Sequence, residues 1–126
     1  MRDSLMLALI ALGAALTPVL AAPSSLAGSW HGSGTISSRN NTDAVRCHVR
    51  FTKVGGASFN VSSQCTTDTG RYDISGRVDA SGANRYSGWV QANGERGNVV
   101  IVQSGKLLSV TVTGRRGSGK LSLSRN

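Results

Sequence analysis

The segment from Arg46 to Thr66 constrains the fold more than any other part of the chain. Two runs of alternating apolar and polar residues flank Gly55-Gly56-Ala57, and each run carries one cysteine. A period of two residues is typical of strands that bury one face. With a loop at 55–57, the two runs would form a hairpin in which Cys47 faces Cys65 on the buried side.

This hairpin predicts a disulfide bond between Cys47 and Cys65. In the same register, Phe51 would face Val61. Opposed residues of an antiparallel pair lie about 4.5 to 5.5 Å apart at Cα, a separation that a disulfide accommodates. The bond would stabilise the domain by about 3 kcal/mol and indicates an oxidising compartment.

The N-terminal segment predicts export. Arg2 precedes an apolar run from Leu5 to Leu16, and Val19-Leu20-Ala21 offers a cleavage signal of small residues, with the cut after residue 21 or 22. We therefore divide the chain into a signal peptide at 1–21, a short tail at 22–27 and a single β domain at 28–126. No later stretch approaches the roughly 20 apolar residues that a membrane-spanning helix needs, which predicts a periplasmic or secreted protein.

The rest of the chain shows further short alternating runs. They lie at 28–37, 71–79, 84–92, 107–113 and 120–125, with a further run between Asn93-Gly94 and Ser104-Gly105. Both dipeptides suit two-residue hairpin turns, which would place Gly88 opposite Val99 and Val99 opposite Val110. We expect a turn at 80–83 and a basic, glycine-rich loop at 114–119.

These runs predict an all-β protein of about eight short strands with no helix after the signal. Eight strands are about the number at which a closed sheet fills its own interior. The predicted fold is therefore a small antiparallel up-and-down barrel, and a two-sheet sandwich is the alternative.

Three resemblances add to this prediction. Gly28-Ser29-Trp30 resembles the Gly-x-Trp that opens lipocalin and avidin barrels. With Cys47 and Cys65, the first half is also similar to small bacterial inhibitors of secreted metalloproteases, which are barrels whose N-terminal tail enters the protease cleft. A third resemblance is to a set of small exported alphaproteobacterial proteins. It rests on Trp30-His31-Gly32-Ser33-Gly34, Arg46-Cys47, Cys65 and Ser87-Gly88-Trp89-Val90. This resemblance implies an envelope or secreted protein and gives no information about an activity.

The charge of the chain permits anionic partners. The net charge is +8, and 11 of the 14 basic residues are arginine. Such a balance permits attraction to anionic lipid or lipopolysaccharide, and the alternative is a solvated basic surface that keeps a secreted domain soluble. Arg115, Arg116 and Lys120 form a candidate anion-binding set. Nucleic acid is disfavoured as a partner because outward aromatic side chains for base stacking are scarce.

A candidate partner surface lies on the outer face of the second half. If the predicted registers hold, five residues share that face: Arg85, Trp89, Val100, Val102 and Leu107. Exposed apolar side chains beside arginine are typical of a contact surface. A register error of one residue would instead place Trp89 inside.

Catalytic and metal-binding patterns are absent from the sequence. The acidic residues form no pair suited to acid–base chemistry, and no serine lies in a Gly-x-Ser-x-Gly motif. A metal site would require His31 and His48 to converge with reduced Cys47 and Cys65, which export disfavours. The sequence thus predicts no enzyme, no metal and no cofactor.

The sequence therefore predicts a non-catalytic exported protein that binds an envelope component through the outer surface or the barrel mouth. The alternative is a secreted-protease inhibitor that inserts residues 22–26. A carrier of a small apolar molecule is a third hypothesis. The short chain predicts little room for the hollow interior that a carrier needs.

Overall fold

The computed structural model describes residues 25–126, which form eight strands. The predicted signal peptide and residues 22–24 of the predicted tail lie outside the described residues. The strands are β1 (Gly28–Ser38), β2 (Asn41–Gly55), β3 (Ser58–Thr67), β4 (Gly70–Gly82), β5 (Arg85–Ala92), β6 (Glu95–Ser104), β7 (Leu107–Gly114) and β8 (Gly117–Arg125). Within the described residues, no helix is long and apolar enough to cross a membrane.

The strands close into one antiparallel barrel in chain order, from β1 to β8. Each strand pairs with the next, and β1 also pairs with β8, with Trp30 opposite Arg125 and Gly34 opposite Leu121. Closure pairs the backbone groups that edge strands would leave free. The predicted up-and-down barrel is therefore confirmed, and the sandwich alternative is excluded.

The hairpin of β2 and β3 has the predicted register. Cys47 pairs with Cys65 and the two form a disulfide, with a Cα–Cα distance of 4.1 Å. The predicted three-residue loop is wrong in detail, because Gly55 pairs with Ser58 and Val54 lies in a register shift. The bulge adds one residue to β2, and the turn is one residue shorter than predicted. The pairs from Lys53 with Phe59 onward therefore keep the predicted alignment.

The hairpin of β5 and β6 is also as predicted, with Gly88 opposite Val99. The next register is wrong by two residues, because Val99 pairs with Val112 and not with Val110. The turn lies at 105–106, where Gly105 takes the positive φ of 63°. A shift of two residues keeps each side chain on its predicted face, since strand side chains alternate with a period of two.

Two predicted loops are shorter than expected. The loop at 114–119 reduces to the turn at 115–116, because β7 extends to Gly114 and β8 begins at Gly117. The turn at 80–83 moves to 83–84, because β4 continues to Gly82 through a register shift after Ala80. Both extensions are pairs within a hairpin, since Gly114 pairs with Gly117 and Gly82 pairs with Arg85.

One end of the barrel is closed by residues just before β1. Leu26 has 0% of its surface exposed, and the indole Nε1 of Trp30 donates a hydrogen bond to its carbonyl oxygen at 2.9 Å. The guanidinium of Arg125 lies over the Trp30 ring at 4.2 Å and donates to the carbonyl oxygen of Ala27 at 2.8 Å. Part of the predicted tail therefore packs into the barrel and seals this end.

Candidate binding cavity at the open end of the barrel

The end of the barrel opposite Leu26 contains a cavity of about 570 Å³. It opens between the turns that join β5 to β6 and β7 to β8, since Asn93, Arg115 and Arg116 are among the lining residues. Binding pockets for small molecules range from about 300 to 1,000 Å³. The cavity is therefore large enough for a drug-sized molecule.

The wall of the cavity is mainly apolar because the inward positions of the strands carry aliphatic side chains. Its hydrophobic residues are Ile36, Val45, Val49, Phe51, Val61, Ile74, Val90, Val99, Ile101, Val110, Val112, Leu121 and Leu123, together with the disulfide Cys47–Cys65. Ile36, Ile74, Val112 and Leu121 face inward yet are only half-buried. Because these side chains point inward and line the cavity, their exposed surface is accessible from the cavity and forms an apolar site there.

The barrel is hollow at this end because glycine occupies several inward positions there. Gly97, Gly117 and Gly119 line the cavity and contribute no side chain. The bulky Trp30 and Phe59 are buried away from the lining, toward the closed end. The sequence-based expectation of little room in so short a chain is therefore wrong.

Charged residues lie at the mouth of the cavity, near the turns that join β5 to β6 and β7 to β8. Glu95, Arg96, Arg115 and Arg116 are the charged lining residues. The Nε of Arg116 lies 3.6 Å from Oε2 of Glu95, and both side chains are largely exposed. Arg115 makes no ion pair within residues 25–126. The mouth therefore carries two adjacent cations on one turn, and among residues 25–126 only Arg116 has an acidic partner.

The predicted anion-binding set is only partly assembled. Arg115 and Arg116 lie together at the mouth, but Lys120 is an exposed residue of β8 outside the cavity lining. Lys120 pairs with Thr35 and Thr111 on the outer face. Lys120 belongs to β8, which begins at Gly117 within the predicted loop. Because successive side chains of a strand point to opposite faces, the side chain of Lys120 points outward.

Tyr72 is a polar residue of the cavity wall. Its hydroxyl lies 3.4 Å from Oγ1 of Thr67. Hydrogen bonding with Thr67, and then with Thr69, lowers the pKa of Tyr72 because hydroxyl donors stabilise the phenolate. Burial and the negative charge of Asp43 oppose this lowering.

The predicted partner surface lies on the outer face of the barrel. Val102 and Leu107 are 38% and 51% exposed, and Arg85 pairs with Val102 across β5 and β6. Trp89 is half-buried, with the guanidinium of Arg96 4.0 Å above its ring. The structure thus places all five predicted residues outside, and Arg96 is the arginine that stacks on the tryptophan.

The two histidines are neighbours on adjacent strands. His31 pairs with His48 across β1 and β2, and their ring centroids are 6.3 Å apart. Nδ1 of His31 hydrogen-bonds with Oδ1 of Asn126. The sequence did not predict this proximity, because it did not establish the register of β1 against β2. Within residues 25–126, no group of three or more His, Cys, Asp or Glu side chains forms a metal site.

Comparison with known proteins defines the fold but no family. No protein-family model and no curated protein matches the chain. A redesigned β barrel, mFAP0, bound to DFHBI, has a TM-score of 0.69 at 14% identity, covering 79% of this chain and 98% of that one. A de novo designed fluorescence-activating β barrel has a TM-score of 0.64 at 14% identity, covering 79% and 93%. A mutant of the fluorescent protein UnaG has a TM-score of 0.51 at 13% identity, covering 80% and 96%.

At such low identity these similarities establish the barrel fold alone. The predicted small closed barrel is confirmed at the level of the fold, and the resemblance to lipocalin and avidin barrels stays a prediction. No match supports the predicted alphaproteobacterial family, which stays a prediction.

Proposed function

We propose that the protein is a non-catalytic exported binding protein that holds a small, mainly apolar molecule in the barrel cavity. The observation that carries this proposal is the open cavity of about 570 Å³ with an aliphatic wall. Concave, mainly apolar pockets with a few polar groups are typical of ligand sites. The structurally similar mFAP0, a barrel determined with DFHBI bound, lends support from the fold.

The physical driving force is removal of apolar surface from water. Four inward-facing aliphatic side chains keep part of their surface exposed inside the barrel: Ile36, Ile74, Val112 and Leu121. An apolar ligand that covers them gains about 25 cal/mol for each Å² of apolar surface buried. The disulfide holds β2 and β3 together along one wall, so the site exists before the ligand arrives.

A cavity-filling substitution tests this proposal. The full chain would be titrated with Nile red, a neutral dye whose fluorescence rises in apolar surroundings. We expect saturable binding that Val112→Phe weakens at least tenfold, because the added ring occupies the cavity. Val102→Phe is the matched control, since Val102 is on the outer face. Equal affinity in both variants would refute binding inside the barrel.

The exported location is part of the proposal. The buried disulfide supports an oxidising compartment. Mass analysis of the protein recovered from the periplasm or medium should find an N-terminus at Ala22 or Pro23 and no free thiol. Recovery of full-length protein with reduced cysteines from the cytosol would count against export.

Contact with an anionic envelope component is a second candidate. It is favoured by the exposed Leu107 and by the exposed Val102, which pairs with Arg85. We expect the protein to float with vesicles that contain phosphatidylglycerol at low salt, and to be released as salt screens the attraction. Leu107→Ser together with Arg85→Gln should reduce flotation without changing the affinity for Nile red. Unchanged flotation would exclude this surface.

The inhibitor alternative gains no support from the structure. It requires residues 22–26 to enter a protease cleft, but Leu26 is fully buried in the barrel. Its carbonyl oxygen is also bound to the indole of Trp30. Insertion would therefore expose a core residue and break this hydrogen bond.

A further inference from the structure

We infer that the cavity selects amphipathic anions, molecules with an apolar body and one acidic head group, and that Arg115 and Arg116 bind that head group. This inference rests on the proposed function, because it names the ligand class of the same cavity. Both arginines form the turn between β7 and β8 and border the opening. A molecule whose body fills the aliphatic interior would present its polar end to this turn.

Positive charge is concentrated on one side of the mouth. Among the residues that the structure describes, the lining contains the cations Arg96, Arg115 and Arg116 and one anion, Glu95. Asp43 is half-buried on β2, two strands from β8 in the barrel, and its charge acts on Tyr72. The turn at 115–116 therefore has more positive than negative charge around it, which favours an acidic head group there.

The three arginines differ in how free they are to bind a ligand. Arg96 is engaged by the ring of Trp89, 4.0 Å from its guanidinium carbon. Arg116 shares its charge with Glu95 at 3.6 Å. Arg115 has no ionic partner within the described residues. We therefore assign the larger part of head-group binding to Arg115, with Arg116 as a second donor.

The geometry suits arginine chemistry. A guanidinium presents several N–H donors in one plane and binds carboxylate or phosphate through paired hydrogen bonds. The side chain of Arg116 is 83% exposed, so a bound head group stays partly in water. Exposed ion pairs are weak, and the charge preference is therefore modest in size and sensitive to salt.

Three ligands that share one tail test this inference: dodecanoate, dodecanol and dodecylammonium, each below its micelle concentration. Their affinities would be measured by displacement of Nile red and by calorimetry. We expect Arg115→Gln/Arg116→Gln to lower the affinity for dodecanoate about five- to tenfold, which is the effect of losing two exposed ion pairs. The same variant should change the affinity for dodecanol by less than about twofold. It should raise the affinity for dodecylammonium, because only the charge at the mouth has changed.

The matched control is Lys106→Gln/Lys120→Gln, which removes the same charge from outside the cavity lining. It should change the affinity for dodecanoate by less than about twofold, because neither lysine lines the cavity and salt screens exposed charges. Glu95→Gln should strengthen dodecanoate about two- to threefold, because it frees Arg116 from its partner. A gain of affinity cannot come from loss of folding.

The outcomes separate this inference from the proposed function. If the arginine variant weakens dodecanoate and dodecanol equally, or changes neither, the anion preference is refuted and the cavity function stands. If the control variant lowers the affinity for dodecanoate as much as the arginine variant does, the effect comes from the net charge of the protein. The assignment of head-group binding to Arg115 and Arg116 is then refuted. If neither Nile red nor any of the three ligands binds, the proposed function itself is wrong.

Discussion

The indole nitrogen of Trp30 donates to the carbonyl oxygen of Leu26 at 2.9 Å inside the closed end of the barrel. This hydrogen bond fixes a segment that precedes β1 as the plug of the core. Because Leu26 is fully buried at that end, the cavity has its opening at the other. The relationship therefore decides which end of the protein meets a ligand.

Leu26→Ala should lower the free energy of unfolding by about 2 to 5 kcal/mol, the usual cost of an aliphatic cavity in a core. Denaturant titration measures the change. Val54→Ala is the control, because Val54 is 46% exposed in the bulge of β2, and its effect should stay within about 0.5 kcal/mol. Similar values for the two variants would show that the plug does not stabilise the barrel.

Removal of the disulfide by Cys47→Ala/Cys65→Ala should lower the free energy of unfolding by about 3 kcal/mol, since the cysteines are separated by 18 positions. The same variant should weaken Nile red binding, because both residues line the cavity wall. Reduced wild-type protein provides the comparison and should match the variant in stability. An unchanged stability would indicate that strand pairing alone sets the register of β2 and β3.

Gly34→Ala should destabilise the barrel by about 1 to 3 kcal/mol or more through overpacking. A Cβ atom at Gly34 would lie 1.7 Å from the carbonyl oxygen of Lys120, so β1 and β8 would have to separate. Gly82→Ala is the matched control, because its nearest atom, in Arg85, would be 3.8 Å away. If thermal or denaturant unfolding of the two variants were the same, close approach of β1 and β8 would not be required.

The pKa of Tyr72 should lie below the ordinary tyrosine value of about 10. Ultraviolet absorbance, titrated with base, should show an early component that Tyr72→Phe removes. Thr67→Ala should raise the pKa, because the hydrogen bond with Thr67 is the main cause of the lowering. Thr66→Ala is the control, since Thr66 lies on the outer face.

The sign of the associated stability effect follows from the direction of the shift. A folded-state pKa below the unfolded one adds stability at pH values above the unfolded pKa of about 10, and this contribution is lost as pH falls through the folded pKa. Tyr72→Phe should therefore reduce stability in base and leave it unchanged at neutral pH through this linkage. A loss confined to neutral pH would contradict the assignment.

The hairpin of β2 and β3 could be predicted because two local signals agreed. Alternation of side chains fixed the buried face, and the glycine turn brought Cys47 opposite Cys65. The register of β6 and β7 could not be predicted in the same way. A turn at 104–105 would pair Val99 with Val110, whereas the observed turn at 105–106 pairs it with Val112. Both alignments leave every side chain on the same face, so local pattern does not separate them.

The candidate site was harder to predict than the fold. Arg115 and Arg116 were identified from their charge, but their place at the mouth of an apolar cavity was not. That place depends on β7 and β8 continuing through residues that read as a loop. Leu26 carried no strand signal, and only its contact with Trp30 shows its role.

The sequence by itself determined which side chains face inward, the disulfide partners and the all-β class, because a period of two and short turns are local properties. Only the tertiary structure decided closure, the sealed end and the hollow interior. These features depend on pairs such as Trp30 with Arg125 and Gly34 with Leu121, which join the two ends of the chain. Such pairing is a property of the whole sheet, since it forms only when all the intervening strands are in register.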